Sequence, residues 1–345
     1  MIASPYLLYL GHSTDEVGIK TSRGLAVFRR GDCVGEFRHD DCPLTLGLPR
    51  MGFAEAVAAG ARTLVLGIAN PGGKLGDDLV RDAVEAVGAG LDVASGLHHR
   101  LRNEPSLVAA AERFGRVLHD VRDPADNIPV GDGKKRAGRR LLTVGTDCSV
   151  GKMYTTLCLE RGLKQRGIPA TFRATGQTGI LIAGSGVPLD AVVADFISGA
   201  IEQLSPARDD GGWDLIEGQG SLFHPSFAGV STGLLHGAQP DALVLCHDPV
   251  RERMRGLPHY PMPGLAETLE ANLRGARLTN PDVRAVGVAL NTSKLPRDEA
   301  ERLCAETSDA LGLPCTDPFA MGVQPIIDWM IECFEPSPHA ATLSR

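Results

Sequence analysis

The sequence predicts an α/β protein of two domains, each a parallel sheet with helices on its faces. Three observations carry that prediction. The chain has 345 residues, and at about 150 residues per domain this length suggests two domains. Apolar β-type runs alternate with helical patterns, the arrangement that builds parallel sheets. Finally, 41 glycines make about 12% of the chain against an average of roughly 7%. No Gly-X-Y period or low-complexity tract accounts for them, so they fall in turns and in loops where backbone approaches something closely.

In the N-terminal half, Tyr6–Leu10 reads as a strand, Gly52–Ala59 as a short helix and Thr63–Ile68 as a buried strand. A loop follows at Asn70–Lys74. Asp77–Ala89 carries Leu79, Val80, Ala83, Val84 and Val87 at helical spacing. Leu91–Ala94 is a strand, Pro105–Phe114 a helix, and Gly115–Val121 closes the unit. Residues 123–138 lose apolar periodicity and gather Pro, Gly, Asn and basic residues, the composition of a linker. The alternation then restarts with a strand at Arg140–Val144 and a helix ending near Arg166, before Gly167 and Pro169. Phe172 lies in the next strand, and Leu189–Leu204 reads as a single helix. Strands follow at Trp213–Ile216, Ala242–Cys246 and Val283–Leu290, with helices around 264–276 and 298–311. The expected division is a domain at 1–125, a linker at 126–138 and a second domain at 139–345.

Composition excludes several classes. The formal charge is −7 and aromatics are 5%, so neither a basic field nor stacking platforms invite nucleic acid. No run approaches the ~18 apolar residues of a membrane span. The first basic residue is Lys20, which does not fit a signal peptide's basic start; the expectation is a cytoplasmic protein. Eight scattered cysteines without a C-x-x-C pair read as reduced thiols.

The strongest chemical signal is Leu-Leu-Thr-Val-Gly145-Thr146-Asp147-Cys148-Ser149-Val150-Gly151-Lys152-Met153. A buried strand enters a Gly-bounded loop, and a helix leaves it with Gly-Lys at its head. Inward backbone N–H groups, a helix N-terminus and a mobile cation together cradle phosphate. Phosphoryl-transferring loops place Ser or Thr after the lysine to hold Mg²⁺. Met153 offers a thioether, a poor ligand for a hard cation. This loop is therefore expected to grip a phosphate rather than transfer one. Cys148 reads as a small residue in a crowded turn, with a reactive thiol as the alternative.

Other strand ends carry candidate groups. Glu217-Gly-Gln219-Gly220 follows Trp213–Ile216 and aims a carboxylate at the crevice where open α/β sheets bind ligands; Glu217 is a candidate base, with His224 a second. Arg173, Thr175, Gln177 and Thr178 end another strand, and His247, Arg251 and Arg253 a third. These are donors for anionic substrate groups, Arg being suited to bidentate carboxylate pairing. Asn291, after Val283–Leu290, is placed to read a purine edge, or else forms an Asn turn. Lys134, Lys135, Arg136, Arg139 and Arg140 read as a solvated linker. His98-His99 and His39-x-x-Cys42 are too sparse for a metal site, and no metal is expected.

Five ordered motifs resemble those of a family long catalogued as a domain of unknown function, a P-loop domain fused to a Rossmann-like N-terminal domain. They are Gly-Thr-Asp-Cys-Ser-Val-Gly-Lys (145–152), Ala-Thr-Gly-Gln-Thr-Gly-Ile (174–180), Glu-Gly-Gln-Gly-Ser-Leu (217–222) with His224-Pro225, Leu-Leu-His-Gly (234–237) and Leu-Cys-His-Asp (245–248). The resemblance implies a small Rossmann-like domain, a larger P-loop NTPase-like parallel-sheet domain and a homo-oligomer. It implies N-acetylation of D-glutamate by acetyl-CoA in D-amino-acid catabolism, without metal. Residues 145–153 and Asn291 would bind the cofactor through a CoA phosphate. The loop is also similar to that of dethiobiotin synthetase, which leaves an ATP- and Mg²⁺-dependent ligase or kinase as one alternative. A nucleotide- or CoA-sensing protein without turnover is the other.

Overall fold

The computed structural model describes residues 2–16, 18–68 and 75–334. The chain forms two compact units. One comprises residues up to Pro124 together with Gly176–Ala191; the other comprises Ala125–Thr175 and the residues from Val192 onward. The loop expected at Asn70–Lys74 lies outside the described residues.

The first unit runs β1 (Tyr6–Gly11), α1 (Lys20–Phe28), β2 (Cys33–Arg38), α2 (Phe53–Ala58), β3 (Thr63–Leu66), α3 (Asp77–Ala89), β4 (Asp92–Ser95), α4 (Pro105–Phe114) and β5 (Leu118–Asp120). Among the described residues its sheet has five strands, all parallel, in the order β2-β1-β3-β4-β5. Leu7, Tyr9, Leu64, Leu66 and Val93 on the sheet pack against Leu79, Ala83 and Val87 of α3. That helix stops where Gly90 turns left-handed, with φ 109°, a conformation glycine adopts without a Cβ penalty. Neither α1 nor β2 shows a clear sequence period; Gly24 sits within α1 and Gly35 within β2.

The second unit contains β6 (Arg139–Gly145), α5 (Lys152–Gln165) and β7 (Ala170–Arg173). The chain then gives α6 (Gln177–Ala183) to the first unit and returns with α7 (Ile197–Leu204), β8 (Trp213–Ile216), α8 (Ala228–Ala238) and β9 (Ala242–His247). A two-stranded antiparallel hairpin, β10 (Arg253–Met254) and β11 (Leu257–Pro261), precedes α9 (Leu265–Arg277), β12 (Arg284–Leu290), α10 (Arg297–Leu311), β13 (Cys315–Thr316) and α11 (Gln324–Phe334). Six parallel strands form the main sheet in the order β13-β12-β9-β6-β8-β7. Its core joins Leu141, Leu215, Val244 and Val286 to Leu159 and Leu163 of α5 and Ile326 and Ile327 of α11.

Two local expectations are corrected. Leu189–Leu204 is not one helix: short 3₁₀ turns occupy Leu189–Ala191 and Ala194–Phe196. Val193 between them is extended at ψ 138° and exposed. Its β-branched side chain gains nothing from helical packing there, and regular helix starts only at Ile197. Residues 126–138 are also not a free linker. A Cβ on Gly199 would fall 1.9 Å from the carbonyl oxygen of Pro129, and Glu202 accepts the N–H groups of Asp132 and Gly133. Within the basic cluster, Arg140 is fully buried and donates to Ser205 Oγ and to the carbonyls of Arg136, Ala137 and Gly138. Arg136 donates to the carbonyls of Ser205 and Gly237. These guanidiniums brace the segment from inside.

Candidate active site

Strand β6 lies between β9 and β8, the position where an open α/β sheet reverses direction and leaves a crevice at its carboxyl edge. The loop from β6 into α5 occupies that edge. Gly151 is left-handed with φ 104°, and Ser149 is left-handed at φ 54°. A non-glycine residue in that region is uncommon and costs on the order of 1 kcal/mol, a cost that recurs at functional sites. Gly218 comes so close to β6 that a Cβ would fall 1.8 Å from the Thr143 carbonyl oxygen.

Lys152 opens α5 and is buried. Its ammonium donates to the carbonyls of Asp147 at 2.7 Å and Gly220 at 2.8 Å. Burial pushes its pKa below the ordinary lysine value, opposed by Cys148, Cys246, Asp147 and Glu217 nearby. Asp147 has no exposed surface. One carboxylate oxygen accepts the Cys148 N–H at 2.6 Å; the other accepts Arg251 Nη1 at 2.9 Å and the Arg255 N–H at 2.7 Å. Arg251 also donates to the carbonyls of Cys148 at 2.7 Å and Ser149 at 3.0 Å, and to Asp248 at 3.2 Å. Arg255 reaches Ser149 Oγ. The segment after β9 thus folds back over the loop and holds it by both charge and backbone.

Glu217, at the end of β8, is buried. Its Oε2 accepts the Thr175 N–H at 3.0 Å, and its carbonyl accepts the Thr175 hydroxyl at 2.6 Å. Gln219 donates to that same hydroxyl. His224 is buried and stacks on Phe227 at 4.5 Å. Its Nδ1 accepts the Ser226 N–H at 3.2 Å, which leaves Nε2–H as the donor, and Nε2 lies 3.5 Å from the Arg255 carbonyl. His247 pairs through Nδ1 with the Thr146 hydroxyl at 2.9 Å; burial lowers its pKa, with Asp248 opposing and Arg251 adding to the shift.

Among the described residues, Asp147, Cys148 and His224 bring an oxygen, a sulfur and a nitrogen within 4.8 Å of one another. As a metal site the trio is poorly disposed, because both Asp147 oxygens and His224 Nδ1 already accept hydrogen bonds. The P-loop arrangement implies a Mg²⁺–nucleotide, and the first turns of α5 do not fit that ion. Thr156 donates to the Lys152 carbonyl and pairs with Thr143, while Thr155 meets the buried Cys246. Both hydroxyls face the core, and Met153 stands in the ligand position.

Most of the sequence candidates meet here: residues 145–153, Glu217, His224, His247 and Arg251, with Asn291 donating its N–H to the His247 carbonyl at 2.8 Å. Arg253 is exposed on the hairpin strand β10. Arg173 is committed elsewhere; its guanidinium pairs with the fully buried Asp214 at 3.0 Å. Gln177 and Thr178 fall in the first unit, where Thr178 shares a hydrogen bond with Thr21. Arg255 was not anticipated. The every-second-residue pattern Arg251, Arg253, Arg255 was its only local signal.

Residues 32–124 match the family described as the DUF1611_N Rossmann-like domain of unknown function, and residues 129–327 match the DUF1611_C P-loop domain. The chain is 52% identical over 328 residues to a D-glutamate N-acetyltransferase of Tritonibacter scottomollicae, covering 95% of this chain and 98% of that protein. It is 50% identical over 326 residues to a D-glutamate N-acetyltransferase of a Pseudoalteromonas species, covering 94% and 98%. A crystal structure of a DUF1611 family protein from Anabaena variabilis aligns with a TM-score of 0.87 at 34% identity, covering 96% of this chain and all of that one.

Proposed function

We propose a function from the premise that this chain belongs to the DUF1611 family of paired Rossmann-like and P-loop domains: it transfers the acetyl group of acetyl-CoA to the amino group of D-glutamate. The observation that carries the reading is the 52% identity to the Tritonibacter enzyme along nearly the whole of both chains.

The chemistry sets three requirements, and the site has groups for each. An ammonium must lose its proton before nitrogen can attack a thioester. Glu217 is the carboxylate at the sheet edge and takes the role of base. The carbonyl oxygen gains negative charge in the tetrahedral intermediate and needs donors already in place. His224 carries its proton on Nε2, so it serves as a donor in this scheme rather than as the base. The head of α5 and Lys152 supply the positive end of the field. The substrate's two carboxylates need cations. Arg253 and Arg255 are exposed beside the loop segment, whereas Arg251 is occupied by Asp147 and Asp248. Residues 145–153 serve acetyl-CoA, with Asn291 beside them.

The test is direct. Purified protein incubated with acetyl-CoA and D-glutamate, without added metal, is expected to release CoA thiol and form N-acetyl-D-glutamate in equal amounts. Thiol release that is absent with D-glutamate and every other amino acid tried would overturn the reading.

A further inference from the structure

We propose that Cys148 is a covalent carrier of the acetyl group, so that the thioester end of acetyl-CoA, and not one of its phosphates, meets the loop between Gly145 and Gly151. This inference rests on the acetyl-transfer reading above and deepens it.

The argument begins with position. Cys148 sits at the entrance to α5, a helix of 14 residues, and a helix N-terminus favours a thiolate over a thiol. The buried Lys152 ammonium is held by the carbonyl of Asp147, the residue immediately before it. A His224 ring nitrogen lies within 4.8 Å of the Cys148 sulfur. Helix end and ammonium both favour negative charge at one place.

The residue is also fixed. Asp147 holds the Cys148 N–H and Arg251 holds its carbonyl, so the backbone on both sides of the side chain is pinned. The neighbouring Ser149 keeps its left-handed backbone at φ 54°. Burial pushes the Cys158 and Cys246 thiols up to about 11. Cys148 is half-buried and stands at the head of α5, the kind of setting that chemistry at sulfur requires.

A phosphate in the loop would put this cluster in the wrong place. The whole pantetheine arm separates the phosphates of CoA from its thioester. A loop filled by phosphate would leave Cys148 and His224 facing a group on which they have no chemistry to perform. With the thioester at the loop, both have work.

The steps balance. The Cys148 thiolate attacks the acetyl carbonyl carbon and a carbon–sulfur bond forms. The oxyanion collapses and breaks the bond to CoA sulfur. CoA leaves and takes up the proton that Cys148 had given up. The neutral amine of D-glutamate then attacks the acetyl-Cys148 carbonyl, and Glu217 accepts the proton of the adduct. The carbon–sulfur bond to Cys148 breaks and the thiolate returns. Of the two protons lost by the substrate ammonium, one restores the thiol and one is released. Nothing is oxidised or reduced.

The decisive experiment is intact-protein mass spectrometry of the full chain with acetyl-CoA and no amino acid. One acetyl adduct is expected, mapping to Cys148, and D-glutamate should discharge it. S-acetylpantetheine, which has no phosphate, should load the same residue. Cys148→Ala and Cys148→Ser should each lose at least about 10³-fold in kcat while melting like the parent. Initial-rate plots at varied fixed D-glutamate should be parallel. A Cys148→Ala protein with parental kcat, or intersecting plots with no adduct from an active parent, would overturn the proposal while leaving the acetyl-transfer reading intact. Loss of thiol release from the parent itself would instead strike that reading. A Cys148 thiol that alkylates only after chelation, in an enzyme the chelator inactivates, would make the trio a metal site and also overturn the proposal.

Discussion

The two units use the same architecture in opposite ways. Each is a parallel sheet in which the first strand of the unit lies inside the sheet, β1 between β2 and β3, β6 between β9 and β8. Each therefore has a carboxyl-edge crevice beside that strand. In the second unit the crevice is lined by a glycine-bounded loop, a buried lysine and a clamped aspartate. In the first unit the described residues at the corresponding edge pack against one another. Gly67, just past β3, lies so near α1 that a Cβ would fall 1.7 Å from Ser22 Oγ. Helix α6 joins α1 through the Thr21–Thr178 hydrogen bond and the Arg29 contact to the Ile182 carbonyl. No G-x-G-x-x-G follows β1; the sequence there is Gly11-His12-Ser13-Thr14-Asp15. A shared topology offers a crevice, and the side chains and insertions decide whether a ligand or the protein itself fills it.

That contrast can be broken experimentally. The largest effect is expected from Lys152→Ala, which removes the one buried cation of the loop. Acetyl transfer should fall by about 10²–10³-fold in kcat/KM, measured by thiol release. A fall below tenfold would remove the loop from the catalytic account.

Next come two glycines that differ only in what lies behind them. Gly67→Ala and Gly218→Ala both force a Cβ into occupied space, and each should cost about 1–3 kcal/mol in denaturant unfolding. Gly218→Ala should also lower kcat, because its Cβ would lie 2.8 Å from Lys152 Cδ. Gly67→Ala should leave kcat of the folded protein within about twofold of parent, since its effect is on packing. Equal kcat losses in both would erase the distinction between the units.

Acid should weaken both units. His98 and His119 in the first and His247 in the second have pKa values lowered chiefly by burial. The unfolded chain then binds protons before the folded one does as pH drops below the ordinary value of 6.5. Stability is therefore full above that value and declines as pH falls from it toward each folded-state pKa. Melting temperatures across about pH 5–8 should show this decline, and His247→Asn should flatten part of it. A melting temperature that rises on acidification would contradict the sign.

The smallest effect is expected from Met153→Thr. A hydroxyl there restores one Mg²⁺ ligand type but none of the others, so acetyl transfer should change by less than about threefold. Mg²⁺-dependent ATP turnover in the variant would show that one residue separated this loop from a nucleotide-cleaving one.

How much of this was legible in advance follows from how far apart the interacting residues lie in sequence. A strand, a glycine-bounded loop and a helix head are contiguous from Arg140 to Lys152, so the P-loop was readable. The alternation of strands and helices was likewise local. Leu189–Leu204 misled because its spacing is helical while Val192 and Val193 interrupt the helix. Arg173 offered no sign of its pairing with Asp214, 41 positions along. The role of Arg136 and Arg140 as internal braces could not be read from a charge run that looks solvated.

By itself, then, the sequence determined the fold class and the glycine-bounded loop between a strand and a helix, because these depend on neighbours along the chain. Only the tertiary structure decided which groups surround the loop. Strand β9 lies beside β6, and that adjacency carries Arg251 and Arg255 to Asp147 across 104 and 108 positions. The same fold sets His224 within reach of Cys148 and hands α6 to the other unit. Contacts of that range are fixed by sheet order and by which buried polar groups must find partners, and neither is written in any one stretch of chain.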